Sequence, residues 1–241
     1  MNLIICNTPE EAAQAAAQFV IDRVNAKPAS ILGLPTGGTP LGMYAELARA
    51  VRENRVDLRK VTTFNLDEYC GLPVSDPQSY YAFMNTNFYA PCGLSATQTH
   101  IPNGEAADPD TEALAYDNAI RAAGGLDLQV LGIGHNGHIG FNEPGTSPDS
   151  RTHAVLLTEK TRQANARFFA SLADVPTRAI TMGIQTILEA QEILLLANGS
   201  DKAEILAAAL RGAITPDNPA SFLQSHPRVT VIADTAASAR L

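Results

Sequence analysis

Three things that would decide a function class at once are scarce in this sequence. Its cysteines, Cys6, Cys70 and Cys92, are odd in number and show no C-x-x-C spacing. They define no disulfide framework and read as reduced thiols of a cytoplasmic protein. Positive charge is in deficit, with 17 Lys+Arg against 25 Asp+Glu and a net charge of −8. That argues against nucleic acid as a partner and leaves any anionic ligand to be held by local features. No apolar run is long enough to span a membrane, and no basic segment precedes an apolar core near Met1, so neither a membrane nor a secretory signal is expected. Linkers, repeats and low-complexity tracts are missing too, which points to one domain over residues 1–241.

What is present is concentrated between Leu131 and Gly145, which reads LGIGHNGHIGFNEPG. A buried, uncharged strand over 128–133 breaks there into Gly132, Gly134, Gly137 and Gly140. Glycine at that density suits a backbone that takes unusual dihedrals or closely approaches something else. His135, Asn136, His138, Asn142 and Glu143 lie between and after these glycines. Such side chains can simply cap their own loop. They can also suggest a metal site, but zinc-binding histidines three or four apart rely on a helix to stack them, and this run is a poor helix. The third reading is organic acid–base chemistry, with a histidine oriented by a carboxylate.

The rest of the chain supplies the setting. Strands alternate with helices: an apolar strand over 2–6, a helix opened by Thr8, Pro9 and Glu11, a strand over 30–34, and a helix opened by Pro40. Strands follow at 61–66, 128–133, 154–157, 179–182, 192–197 and 228–233, with helices predicted from Asp76 to about Ala90, Asp108 to Gly124 and Thr158 to about Leu172. The pattern predicts an α/β protein with a Rossmann-like open, mostly parallel sheet and helices on both faces. In such sheets ligands bind beyond the carboxyl ends of the strands. The loop Pro35-Thr36-Gly37-Gly38-Thr39 meets a helix start there and can cradle an anion, although it carries neither a Walker lysine nor a G-x-G-x-x-G spacing. Asp67 and Glu68 follow the next strand and reach the same crevice if the strands are parallel. Ser200 is placed to cap a helix beginning Asp201-Lys202, where a first-turn lysine opposes the helix dipole unless it binds an anion. Arg162 and Arg167 are surface charges unless something anionic lies nearby.

With these segments assembled, the chain resembles glucosamine-6-phosphate deaminases along nearly its whole length. The resemblance rests on LGLPTGGTPLGMY (32–44), FNLDEYCGL (64–72), LGIGHNGHIGFNEPGT (131–146), TRQANARFF (161–169) and QSHP (224–227). It implies conversion of glucosamine 6-phosphate to fructose 6-phosphate and ammonia in amino-sugar catabolism, without metal or cofactor. By position it makes Asp67 the base that moves a proton between C2 and C1 of the open-chain sugar. His138 becomes the ring-opening group, Glu143 its orienting carboxylate, and Asn136 a hydrogen-bonding, orienting residue where many members have aspartate. Gly38, Thr39, Arg167 and Lys202 match positions that hold the phosphate. Regulated, hexameric members bind a second phosphosugar with basic and hydroxyl residues after the central loop. This chain has His153, Val155 and Leu156 there, which implies no effector site and a monomer or small homo-oligomer. A related 6-phosphogluconolactonase would need no base at Asp67, and a non-catalytic phosphosugar sensor could discard both Asp67 and Glu143.

Overall fold

The computed structural model describes residues 1–166 and 169–241. Its central sheet has seven strands: β1 (Asn2–Cys6), β2 (Ile31–Leu34), β3 (Thr62–Asn65), β5 (Thr99–His100), β6 (Leu128–Gly132), β9 (Ile193–Ala197) and β10 (Val229–Asp234). They run in the order β1-β10-β9-β6-β2-β3-β5, and every pairing is parallel. Both faces are covered, so strand residues are apolar nearly throughout. In β9, Leu194 and Leu196 point to one buried layer, and Ile193, Leu195 and Ala197 to the other.

The first layer holds α1 (Pro9–Ala26) and α2 (Leu41–Arg52), packed through Ala12, Ala16, Val20, Tyr44 and Leu47. Thr8 caps α1 by accepting from the Glu11 amide at 3.2 Å, as the sequence predicts. The Glu11 carboxylate reaches back to the amide of Asn7, one residue earlier than a capping box expects. The second layer holds α5 (Pro109–Ala122), α7 (Ile184–Leu188) and α8 (Ala203–Arg211), through Tyr116, Ile120, Ile184, Ile187 and Leu206.

The order of strands locates the crevice. From β2 the chain proceeds outward to β3 and β5, then returns to β6 on the other side of β2 and proceeds to β9 and β10. The loops after β2 and β6 therefore diverge from adjacent strands, and an open α/β sheet binds ligands at that switch point.

A second sheet was not legible in the sequence. The strand predicted over 61–66 ends at Asn65, and the chain re-pairs as β4 (Asp67–Tyr69), which joins β8 (Arg178–Thr181) and β7 (His153–Leu156) in antiparallel order β4-β8-β7. Asp67 stands opposite Thr181, at the start of β4. One helix start and one helix end also differ. Asp76 accepts from the Gln78 amide in a turn, and Ser79 caps the five-residue α3 (Tyr80–Met84) by accepting from the Ala82 amide. After α3 comes a π-helical turn (Asn85–Tyr89), then α4 (Ala90–Cys92). Helix α6 (Glu159–Asn165) is capped by Thr158 but stops short of Leu172, because Arg162 donates to the carbonyls of Leu172 and Val175 and holds the chain folded back against α6.

Candidate active site

Around the switch point the loops enclose a cavity of about 340 Å³, lined among others by Thr36–Pro40, Asp67, Tyr80, Gly134–Asn136, His138, Thr161 and Lys202. One end is an anion cradle. Gly37 takes φ +97°, a conformation most L side chains resist, and the chain from there to Pro40, the N-cap of α2, lines the cavity. No side chain caps that helix start. Backbone amides at such an uncapped helix start, including those of Gly38 and Thr39 in the cavity wall, suit an anion. Lys202 reaches the same cavity from the turn after β9. Ser200 makes no capping bond with its side chain; the 3₁₀ turn Ser200–Lys202 leads into α8, with Lys202 at its N-cap. Burial lowers the Lys202 ammonium's pKa, which Asp201 partly offsets. Arg167, the fourth phosphate ligand expected from the sequence, lies outside the described residues.

The titratable side chains come from two other loops. Asp67 is 6 % exposed and borders the cavity. Burial, with the Glu68 carboxylate nearby, pushes its carboxyl up to about 8. Glu68 points the opposite way along the strand. It accepts from the amides of Tyr69, Tyr80 and Tyr81 at 2.8–2.9 Å. Those bonds seat the start of α3, which sets Tyr80 in the cavity wall, stacked against Phe141. Leaving such a buried donor unpaired costs about 1–3 kcal/mol.

The central loop closes on itself through Gly134 N–H to the His138 carbonyl at 2.9 Å. Gly132, Gly134 and Gly137 have the spacing of a dinucleotide loop, yet turns follow and no helix, so the structural context for that motif is missing. Gly134 is required by close approach. A Cβ there would lie 2.2–2.4 Å from three atoms of the His138 ring. The ring's Nδ1 is 3.7 Å from Glu143 Oε2 and has no hydrogen-bond partner of its own among the described residues. Glu143 is held by two further donors, Asn136 Nδ2 at 2.6 Å and Thr161 Oγ1 at 2.6 Å. Burial raises the Glu143 carboxyl's pKa, but the contacts with His138, Thr161 and Asn136 outweigh it and bring it down to about 2. It stays ionised beside the imidazole, so a proton on Nδ1 is favoured and Nε2 is left for chemistry.

Asn142, grouped with these residues in the sequence, is instead buried scaffolding that donates to the carbonyls of Ile139 and Met182. Among the described residues no group of three or more His, Cys, Asp or Glu is arranged to hold a metal ion. Thr161 and Tyr80 are the site residues that sequence reasoning missed, whereas Glu68, expected at the crevice, turns from it to the amides of Tyr69, Tyr80 and Tyr81. Thr161 lies inside the quoted 161–169 motif, but nothing local links it to Glu143.

A switch-point crevice with an anion cradle at one end and a buried carboxylate and an oriented imidazole in its walls belongs to an α/β protein built to take a small anionic molecule. The chain belongs to the family of glucosamine-6-phosphate isomerases and 6-phosphogluconolactonases, whose model matches residues 7–232. The glucosamine-6-phosphate deaminase of Bacillus velezensis is 50% identical over 234 residues, covering 97% of each chain. A solved structure of a monomeric glucosamine-6-phosphate deaminase superposes with a TM-score of 0.97 at 48% identity over the whole of both chains. The 6-phosphogluconolactonase of Trypanosoma brucei shares the fold, with a TM-score of 0.78 at 18% identity, over 100% of this chain and 98% of its own.

Proposed function

We propose that this protein is a glucosamine-6-phosphate deaminase that converts glucosamine 6-phosphate and water to fructose 6-phosphate and ammonia. The observation that carries the reading is the raised carboxyl of Asp67 in the wall of the cavity that also holds His138. Lactone hydrolysis needs no base at the sugar's C2, whereas an aldose-to-ketose shift does.

The steps divide among the residues present. The sugar phosphate rests on the Gly38–Thr39 amides and Lys202, with Arg167 as a further ligand. Nε2 of His138 moves the proton that opens the ring, while Glu143, held by Asn136 and Thr161, stabilises the charge that the ring takes up. Asp67 then removes the C2 proton and returns it at C1, while the C1 oxygen gains one proton and the C2 nitrogen gives one up. This turns the C1 aldehyde into a hydroxymethyl group and the C2 amine into an imine. Water adds at C2 and ammonia leaves, so the carbon–nitrogen cleavage is hydrolytic overall. A base whose pKa approaches the working pH suits the C2 step, since a weakly acidic C–H proton transfers poorly to the weakly basic anion of a strong acid.

Ammonia release from glucosamine 6-phosphate by the purified protein tests the reading. Lactone hydrolysis without ammonia release would overturn it. Lys202→Ala is expected to raise KM by about ten- to a hundredfold, the worth of one charge-assisted contact. Unphosphorylated glucosamine, turned over poorly by both proteins, should show no such difference. An equal loss with both sugars would remove Lys202 from the phosphate site.

We also read the enzyme as lacking a second phosphosugar site. Arg151, two residues before β7, is bound at 2.9 Å to Asp117 and at 2.8 Å to Glu189. Val155 and Leu156 offer no donors from their side chains. The rate should therefore rise hyperbolically with substrate, with a Hill coefficient of about 1, and added N-acetylglucosamine 6-phosphate should leave it unchanged. A sigmoidal curve that the effector straightens would show a regulatory site.

A further inference from the structure

At the phosphate end of the cavity one contact is left without a role in the chemistry above. His135, in the loop after β6, places Nε2 2.6 Å from Asp201 Oδ2, in the turn after β9. Lys202 Nζ lies 3.7 Å from that same oxygen. An ionised carboxylate only accepts, so the imidazole Nε2 donates. The other carboxylate oxygen lies over Gly199. Gly199 takes φ +91°, and a Cβ on it would come within 2.7 Å of Asp201 Oδ1. The turn is tied down further by the Gly199 amide, which donates to both oxygens of Asp234. β6 and β9 are hydrogen-bonded neighbours, so the imidazole–carboxylate contact bridges two adjacent loops at the crevice.

The chemistry of this arrangement is awkward unless His135 has a task. A carboxylate beside the ammonium that receives a phosphate competes for that ammonium and repels the arriving dianion. The distances show how the competition is resolved: Oδ2 is at hydrogen-bond length from the imidazole and beyond it from the ammonium.

We infer that His135 is a positioning residue for phosphate binding: by holding Asp201 through Oδ2 it keeps that carboxylate off Lys202 and leaves the ammonium to the sugar phosphate. The inference rests on the reading of Lys202 as a phosphate ligand.

The test is a double-mutant cycle read by KM for glucosamine 6-phosphate and, independently of turnover, by the Kd of inorganic phosphate in calorimetry. Both side chains are more than half exposed, at 63% and 56%, so the variants should fold. His135→Ala is expected to raise both constants about tenfold, through loss of one charge-assisted contact, while kcat stays within about twofold. His135→Ala combined with Asp201→Asn should return both constants to near the wild-type values, because the amide has no charge with which to compete. Unchanged constants in His135→Ala would overturn the inference. So would a double variant as impaired as His135→Ala, which would make His135 a direct or merely structural support. Lys202→Ala separates the two readings. If it weakens phosphate binding while His135→Ala does not, only the inference fails. If Lys202→Ala leaves phosphate binding untouched, the phosphate assignment fails and the inference goes with it.

Discussion

Asp67→Asn should lose turnover by a factor of about 10²–10⁴ or more, the usual contribution of a general base, while the protein becomes more stable at alkaline pH. Both effects come from one cause. The Asp67 carboxyl ionises at about 8 in the folded chain, against 3.8 when unperturbed. Between those values the folded state keeps a proton that the unfolded state has released, so stability from this group falls as pH rises through the window. The loss is at most about 1.4 kcal/mol per pH unit. Asparagine has no such proton. The variant's Tm should exceed that of the wild type at pH 8, and the difference should shrink toward pH 4. The same carboxyl should set the acid side of the wild-type profile, with kcat/KM falling as pH drops below about 8. Near-normal turnover in Asp67→Asn would remove Asp67 from the chemistry. A variant destabilised equally at pH 4 and pH 8 would show that the carboxylate is stabilised in its pocket, not penalised.

Gly134→Ala is the second change with a large expected effect, although it touches no titratable group. The backbone of Gly134 is not among the positive-φ glycines, so alanine meets no dihedral penalty there. Its Cβ would instead overlap the His138 imidazole, at 2.2 Å from Cε1 and 2.3 Å from Nε2. The ring must then leave its place against the loop and move away from Glu143, which lies 3.7 Å from Nδ1. The expected loss in kcat is about 10²–10⁴-fold, comparable with removing an acid–base group outright. Circular dichroism should remain that of the wild type, and an open-chain substrate analogue should bind nearly as well as before, because ring opening alone is impaired. Equal loss of affinity for the analogue would make His138 a binding residue. Unaltered kcat would mean that the ring finds a productive position without the glycine.

These two residues also mark how far the sequence reaches. The density of glycine after a charge-free strand was enough to mark the 131–145 loop, part of which lines the cavity, because local glycine content constrains local backbone. Thr8 and Asp108 announced their helices for the same reason, since a cap bonds to amides two or three residues away. Asp76 misled because Asp-Pro equally well starts a turn, and the bond that capped α3 came from Ser79. The three-residue β4 was too short to show a period at all. It exists because Asp67–Tyr69 pairs with Ala179–Thr181, more than a hundred positions later.

By itself, then, the sequence determined the alternation of strands and helices, the two glycine loops and the family, all of which rest on patterns contained within a few neighbouring residues. The tertiary structure decided which side chains act together. Glu143 meets Thr161 18 residues on, Asp201 meets His135 across 66 residues, and Glu68 takes its donors from the start of α3. It also decided the ionisation of Asp67, because burial is a property of everything packed around a residue and of nothing in the residue's own stretch of chain.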